Sequence, residues 1–147
     1  MEKDRLRGTF VATLVAISLA LTASSAAAKE SMPMTERCEA SWYGPGMKLH
    51  KMPDGSRKPL TATGKVFNMD DPELVAHKEY PIGTRLKVTN LSNGLSLILT
   101  VKDRGPYTPG RCVDLSRAAA KNIGMYCGPS CGTAPVKVEV ISLGSKK

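Results

Sequence analysis

"TRLKVTNLSNGLSLILTVKDRG" runs from Thr84 to Gly105, and its reading decides the fold. From Thr84 to Asn90, Leu86 and Val88 alternate with Arg85, Lys87 and Thr89. Alternation with period two places both apolar residues on one face of a half-buried strand. Ser92-Asn93-Gly94 then signals a hairpin, because both central positions of a type I′ turn need φ > 0. The return strand, Leu95 to Val101, sets Leu95, Leu97, Leu99 and Val101 on one face. Ile98 predicts that part of it is buried on both. The apolar run stops at Lys102-Asp103-Arg104, and Gly105, Pro106, Pro109 and Gly110 break the chain beyond it.

Weaker signals flank this hairpin. Cys38 to Tyr43 reads as a strand ended by Gly44-Pro45-Gly46, and Met47 to Leu60, rich in Lys, Pro and Gly, as a surface loop. Thr61 to Phe67 has room for a short strand. Asp70-Asp71-Pro72-Glu73 suits a single helical turn with Pro72 at its first position. Pro81-Ile82-Gly83 is a turn. Ser116 to Ile123 is the one good helix, with Ser116 to cap its start and Gly124 its end. Pro135 to Leu143 alternates Val136, Val138 and Val140 with Lys137 and Glu139, a last strand. Short strands, turns between them and one short helix predict a mainly β chain, a small barrel or sandwich.

The 147 residues begin with a leader pattern. Lys3, Arg5 and Arg7 precede an apolar run from Phe10 to Ala23, and Ser24-Ser25-Ala26-Ala27-Ala28 supplies small residues for cleavage after Ala28. The run is short for a bilayer span, so export without a stable membrane anchor is expected. Residues 29–147 carry 18 Lys and Arg against 11 Asp and Glu, a charge of +7. Such a charge suits an acidic wall polymer, and export argues against nucleic acid. With two Phe, one Trp and four Tyr, the chain also lacks the aromatics of a base-stacking platform. Cys38, Cys112, Cys127 and Cys131 all follow the leader, and an even count in an exported chain predicts two disulfides. Of three connectivities, a local Cys127–Cys131 staple with Cys38–Cys112 is favoured. Cys-x3-Cys without a nearby His pair is a poor zinc pattern, so no metal is expected.

Few residues offer chemistry. His50 lies in the Lys/Pro loop and reads as solvated; His77 lies between turn-rich stretches and reads as a packed core residue. Asp103 has the most unusual setting, at the end of a buried strand and before Arg-Gly-Pro. Adjacent strand residues point to opposite faces, so Asp103 and Arg104 need not pair. A carboxyl walled by apolar residues can hold a proton for a leaving group; the alternative is an anchor for turn N–H groups. Asp114 sits just before the helix and reads as bonding its first-turn N–H groups. Trp42 and Tyr43 are candidates to stack on sugar faces, with core packing the alternative for Trp42.

An ordered set of motifs now stands out: Ala40-Ser41-Trp42-Tyr43-Gly44-Pro45-Gly46, Thr61-Ala62-Thr63-Gly64, Ala76-His77-Lys78 and Pro81-Ile82-Gly83-Thr84-Arg85. Val88-Thr89-Asn90-Leu91, Asn93-Gly94, Asp103-Arg104-Gly105-Pro106-Tyr107 and Val113-Asp114-Leu115-Ser116 follow. Over Glu39 to Ser142 the set resembles the rare lipoprotein A (RlpA-like) family of double-psi β-barrels. The resemblance implies a six-stranded double-psi β-barrel over residues 38–143 with one or two short helices. A signal peptide (1–28) and linker (29–37) would precede it, and a tail (144–147) would follow.

It also implies a monomeric, cofactor-free protein of the bacterial envelope, periplasmic or extracellular, that acts on peptidoglycan. Such a lytic transglycosylase cuts between N-acetylmuramic acid and N-acetylglucosamine in strands lacking stem peptides, leaving a 1,6-anhydro end. By position, Asp103 becomes the acid/base and His77 its neighbour across the groove. Trp42, Tyr43 and Lys65 become substrate contacts. Lys65 stands where the family keeps a Glu, with Glu73 the nearest substitute. That departure favours the alternative of an expansin-like module that binds wall glycan without cutting it.

Overall fold

A computed structural model describes residues 34–43, 47–128 and 131–145; the leader, most of the linker and the Gly44-Pro45-Gly46 turn lie outside the described residues. In chain order the elements are β1 (Thr35–Trp42), β2 (Leu49–Lys51), β3 (Arg57–Pro59), β4 (Leu74–His77), β5 (Arg85–Asn90), β6 (Ser96–Asp103), β7 (Arg111–Leu115), α1 (Arg117–Asn122) and β8 (Thr133–Ser142). Six strands close a barrel in the order β1-β7-β4-β6-β5-β8. β1 runs parallel to β7 and β4 parallel to β6; the other neighbours are antiparallel. Closure leaves no free edge among these six strands. No helix among the described residues is long and apolar enough to cross a membrane.

Alternation drives the closure. Leu86 and Val88 on β5, Leu99 and Val101 on β6, Val113 and Leu115 on β7 and Val136 and Val138 on β8 all point inward and are buried. Each such side chain contributes about 1.5–3 kcal/mol by leaving water. Ile98 faces the other way and is exposed, so β6 is buried on one face only, contrary to the expectation. Inward register continues along β6 from Leu99 through Val101 to Asp103, which is 6% exposed.

The β5–β6 connection is a four-residue loop rather than the expected two-residue turn. Asn90 N–H donates to Leu95 O (2.8 Å), Gly94 N–H to Asn90 O (2.8 Å), and Gly94 has φ 77°. The loop is held by its asparagines. Asn90 Oδ1 accepts from Ser92 N–H, and Asn90 and Asn93 both donate to the carbonyl of Ile123 at the end of α1. The helix is capped as the sequence indicates. Ser116 Oγ accepts from Ala119 N–H (3.0 Å), and Gly124 and Met125 N–H return to Lys121 and Ala120 carbonyls in a Schellman closure.

Other expectations need correction. β1 begins at Thr35, so the strand takes in the last three residues assigned to the linker. Residues 49–59 are a two-stranded hairpin, not a loop, turning at Asp54-Gly55. Thr61 to Phe67 is a tight turn held by Thr61 N–H to Lys65 O (2.8 Å) and one bridge between Leu60 and Val66. Residues 70–73 form turns without helix, and buried β4 follows at once. Both favoured disulfides, Cys38–Cys112 and Cys127–Cys131, are present.

Candidate active site

Three strand ends bring the polar residues of the site together. β6 delivers Asp103, β1 delivers Ser41 and leads to Tyr43, and β7 delivers Asp114. Asp103 is met by three donors. Tyr43 Oη donates to its Oδ2 at 2.7 Å, while Ala62 N–H and Arg104 N–H donate to Oδ1 at 2.6 and 2.8 Å. Two of these donors are backbone N–H groups, so Asp103 anchors local backbone as the turn-anchor reading has it. Arg104 points away, as expected, and its Nη1 donates to the carbonyls of Tyr80 (2.6 Å) and His77 (3.2 Å).

Asp114 is the residue that sequence reasoning underrated. Helix capping is done by Ser116, and the Asp114 side chain instead accepts from Ser41 Oγ through Oδ1. Ser41 and Asp114 are register partners on the parallel β1–β7 pair, and Ala76 on β4 faces Asp114 from the other side. Its Oδ2 lies beside Gly105, where φ is 121° and a β-carbon would come within 3.9 Å of that oxygen. Among the described residues no donor meets Oδ2. Burial raises the Asp114 carboxyl above the ordinary range; Ser41 and Arg111 pull it back, and the nearby Asp103 charge pushes it up again. Tyr43 is raised above the phenol range, first by burial and then by Asp103, so it stays a donor. The signal that could have found Asp114 is its register: an aspartate two residues after buried Cys112 on a strand pairing with both β1 and β4.

His77 is not brought to Asp103. Its Nδ1 accepts from the N–H groups of Glu79 and Tyr80, both at 3.1 Å, which leaves the proton on Nε2, 3.0 Å from Glu36 Oε1. The ring stacks on Tyr80 and borders a separate cavity of about 280 Å³ with Glu36 and Arg111. The His77 backbone carbonyl accepts from Arg104, and the neighbouring Ala76 pairs with Asp103 across β4 and β6. Trp42 follows the packing alternative: it lies half-buried, edge-on to Tyr126, with Nε1 donating to Cys131 O (2.7 Å). Tyr43 packs against Phe67.

Lys65 is exposed and lines a cavity of about 220 Å³ with Thr61, Thr63, Asn68 and Lys102. Among the described residues no carboxylate pairs with its ammonium, and the donors on Asp103 come from elsewhere. Glu73 is exposed and does not enter the site. A grouping of Glu36, Cys38 and Cys112 has metal-like spacing, but both its cysteines are tied in the disulfide.

Comparison with known proteins identifies the family. The lytic transglycolase family profile matches residues 25–138. The chain is 45% identical over 104 residues to a Nostoc protein named probable endolytic peptidoglycan transglycosylase RlpA, covering 69% of this chain and 24% of that one. It is 43% identical over 106 residues to the endolytic peptidoglycan transglycosylase RlpA of Campylobacter jejuni (72% and 34%). For the protein of that name from Vibrio cholerae the match is 41% over 115 residues (78% and 39%). The chain therefore spans between a quarter and two-fifths of these relatives' lengths. Among solved structures it superposes on the Streptomyces papain inhibitor with a TM-score of 0.52 at 16% identity, over 76% of this chain and 97% of that one. That likeness concerns the double-psi barrel alone.

Proposed function

The chain belongs to the lytic transglycolase family, and from that premise we propose that it cuts the glycan strands of peptidoglycan in the bacterial envelope. The observation that carries the reading is that Asp103 and Asp114 flank Ala76 of β4 as its register partners on either side, with Asp103 held by three donors and, among the described residues, no donor on Asp114 Oδ2. Asp114 is the proton-bearing carboxyl of the reading: burial raises it above the ordinary range, and the nearby Asp103 charge adds to that.

The chemistry follows. The Asp114 proton goes to the bridging oxygen between N-acetylmuramic acid and N-acetylglucosamine as the bond to C1 breaks. The two carboxylates then face the oxocarbenium-like C1, and their charge stabilises it. One of them takes the proton of the C6 hydroxyl as O6 closes on C1. The 1,6-anhydro end forms without water, and the proton is back on the pair. Strands free of stem peptides are the proposed substrate. Tyr43, fixed against Phe67, keeps Asp103 oriented throughout.

Binding without cleavage is the less favoured reading. It drew on Lys65, but Lys65 is turned to its own cavity and the second carboxyl is supplied by Asp114. Digestion of purified peptide-free strands tests the proposal. Anhydro-ended fragments are expected by mass spectrometry from the wild type and not from Asp103→Asn. A wild type that releases none refutes it.

A further inference from the structure

Residues 47–60 form an arm that belongs to no part of the barrel sheet. β2 and β3 pair only with each other, in the register Leu49↔Pro59, His50↔Lys58 and Lys51↔Arg57. Lys48, His50, Lys51, Arg57 and Lys58 are all exposed. The arm's one acid, Asp54, accepts from Ser56 N–H (2.9 Å) and Oγ (2.6 Å) at the turn, with Lys58 the cation acting on it. Among the described residues none of the five basic side chains has a carboxylate within ion-pair distance.

The cross-strand pairing is unfavourable as it stands. Partners in an antiparallel pair share a face, so Lys51 lies beside Arg57 and His50 beside Lys58. Lys51 and Arg57 are like charges directly opposite, which destabilises a ribbon, and a lone two-stranded ribbon has little stability to spare. An anion seated between them would turn that repulsion into attraction.

The arm is rooted at Asp103 on both sides. Tyr43, just before it, donates to Oδ2, and Ala62, just after it, donates to Oδ1. Its base is fastened by Phe67 N–H to Pro59 O (2.8 Å) and by Phe67 against the Tyr43 ring. A polymer lying across the carboxylate pair therefore passes the foot of a cationic arm.

We propose that this arm is a strand-holding element: Lys51, Arg57 and Lys58 bind the lactyl carboxylates that a glycan strand exposes where its stem peptides are missing. The inference rests on the glycan-cleaving reading for its ligand. The carboxylates recur on alternate sugars, so one can sit on the arm while the scissile bond sits at the pair. A stem peptide converts that carboxylate into a neutral amide and removes the contact.

The test uses full-length Asp114→Asn protein, in which cleavage is slowed while the Asp103 contacts that root the arm are kept, and measures its affinity for four probes. These are peptide-free strands, the same strands with carboxylates amidated, peptide-bearing sacculi, and phosphatidylglycerol vesicles. The Lys51→Gln/Arg57→Gln pair is expected to bind peptide-free strands about tenfold more weakly, from two exposed ion pairs. Its unfolding midpoint should be unchanged or raised, since the repulsion goes too. Amidated strands should bind the arm-intact protein as weakly, with no further loss in the arm variant.

Equal affinity of the arm-intact protein for native and amidated strands overturns the proposal. So does arm-dependent binding that is stronger to vesicles or to peptide-bearing sacculi than to peptide-free strands. Anhydro products from the wild type together with unaltered binding by the arm variant sink the arm alone. Arm-dependent binding with no products from the wild type supports the arm and sinks the cleavage reading.

Discussion

The Cys38–Cys112 bridge should be worth far more than Cys127–Cys131, and the reason is chain length. The first closes a loop of sequence separation 74, the second one of separation 4. Loop-closure entropy scales with the logarithm of loop length, which gives about 4.5 kcal/mol for the long loop and about 2 kcal/mol for the short one. The bridge also joins β1 to β7, the parallel pair that carries Ser41 and Asp114 a few residues further on. Parallel partners are distant in sequence, so nothing local keeps them together while the chain is unfolded. Replacing both cysteines by Ala avoids burying a hydroxyl at Cys112, which is 8% exposed. With a urea slope of about 1.5 kcal/mol/M, Cys38→Ala/Cys112→Ala should lower the unfolding midpoint by about 3 M, and Cys127→Ala/Cys131→Ala by about 1.3 M. If the two double variants fall by the same amount, or the local staple costs more, the loop-entropy reasoning is wrong.

Asp114→Asn should lower kcat/KM on peptide-free strands by roughly 10²–10⁴, the usual range for a lost acid/base group. In the wild type, activity should fall as pH rises through the raised Asp114 titration, and a profile whose alkaline limb survives in Asp114→Asn would count against the pair. Asp103→Asn/Asp114→Asn should be scarcely slower than either single variant, because the two act as a unit; additive losses would separate them. For stability the sign is set by the same carboxyl. Its folded value lies above its unfolded one, so the native state binds more protons between the two. Stability is therefore lost as pH rises from the ordinary Asp range through the raised value, and Asp114→Asn should flatten that slope in pH-dependent melting curves. Gly124→Ala should cost about 1–2 kcal/mol in urea denaturation, since φ is 66° and the new β-carbon would stand 2.6 Å from Asn93 Nδ2.

What the sequence reveals here depends on whether neighbours in the chain decide the outcome. Leu86, Val88, Leu99 and Val101 alternate within single strands, so β5 and β6 are legible directly, and Ser116 and Gly124 mark the helix ends by local chemistry. β4 has no alternation because all four of its residues are buried, and only the motif Ala76-His77-Lys78 hinted at it. The Asp54-Gly55 hairpin signal was present but masked by surrounding Lys and Pro. The site divides in the same way. Asp103 is marked by its place at the end of an apolar run. Asp114 is not, because its setting is made by burial in the closed barrel, by Ser41, 73 residues away, and by Asp103 on another strand.

His77 illustrates the opposite error. Its motif position implied a partner across the groove, yet the backbone turn at Glu79 and Tyr80 captures one ring nitrogen and Glu36 the other. With both nitrogens spent, the imidazole makes no bond to Asp103; it is the His77 backbone carbonyl that meets Arg104, whose own N–H donates to Oδ1. The Lys in place of the family Glu then changes meaning. A lysine facing Asp103 would have opposed a proton-bearing carboxyl. Here the donors on Asp103 are Tyr43 and two backbone N–H groups, and Lys65 lines a cavity beside Lys102. The loss of a carboxylate at position 65 removes one negative charge from the rim without touching the Asp103–Asp114 pair. The substitution at position 65 thus leaves both carboxylates, and every donor on Asp103, in place.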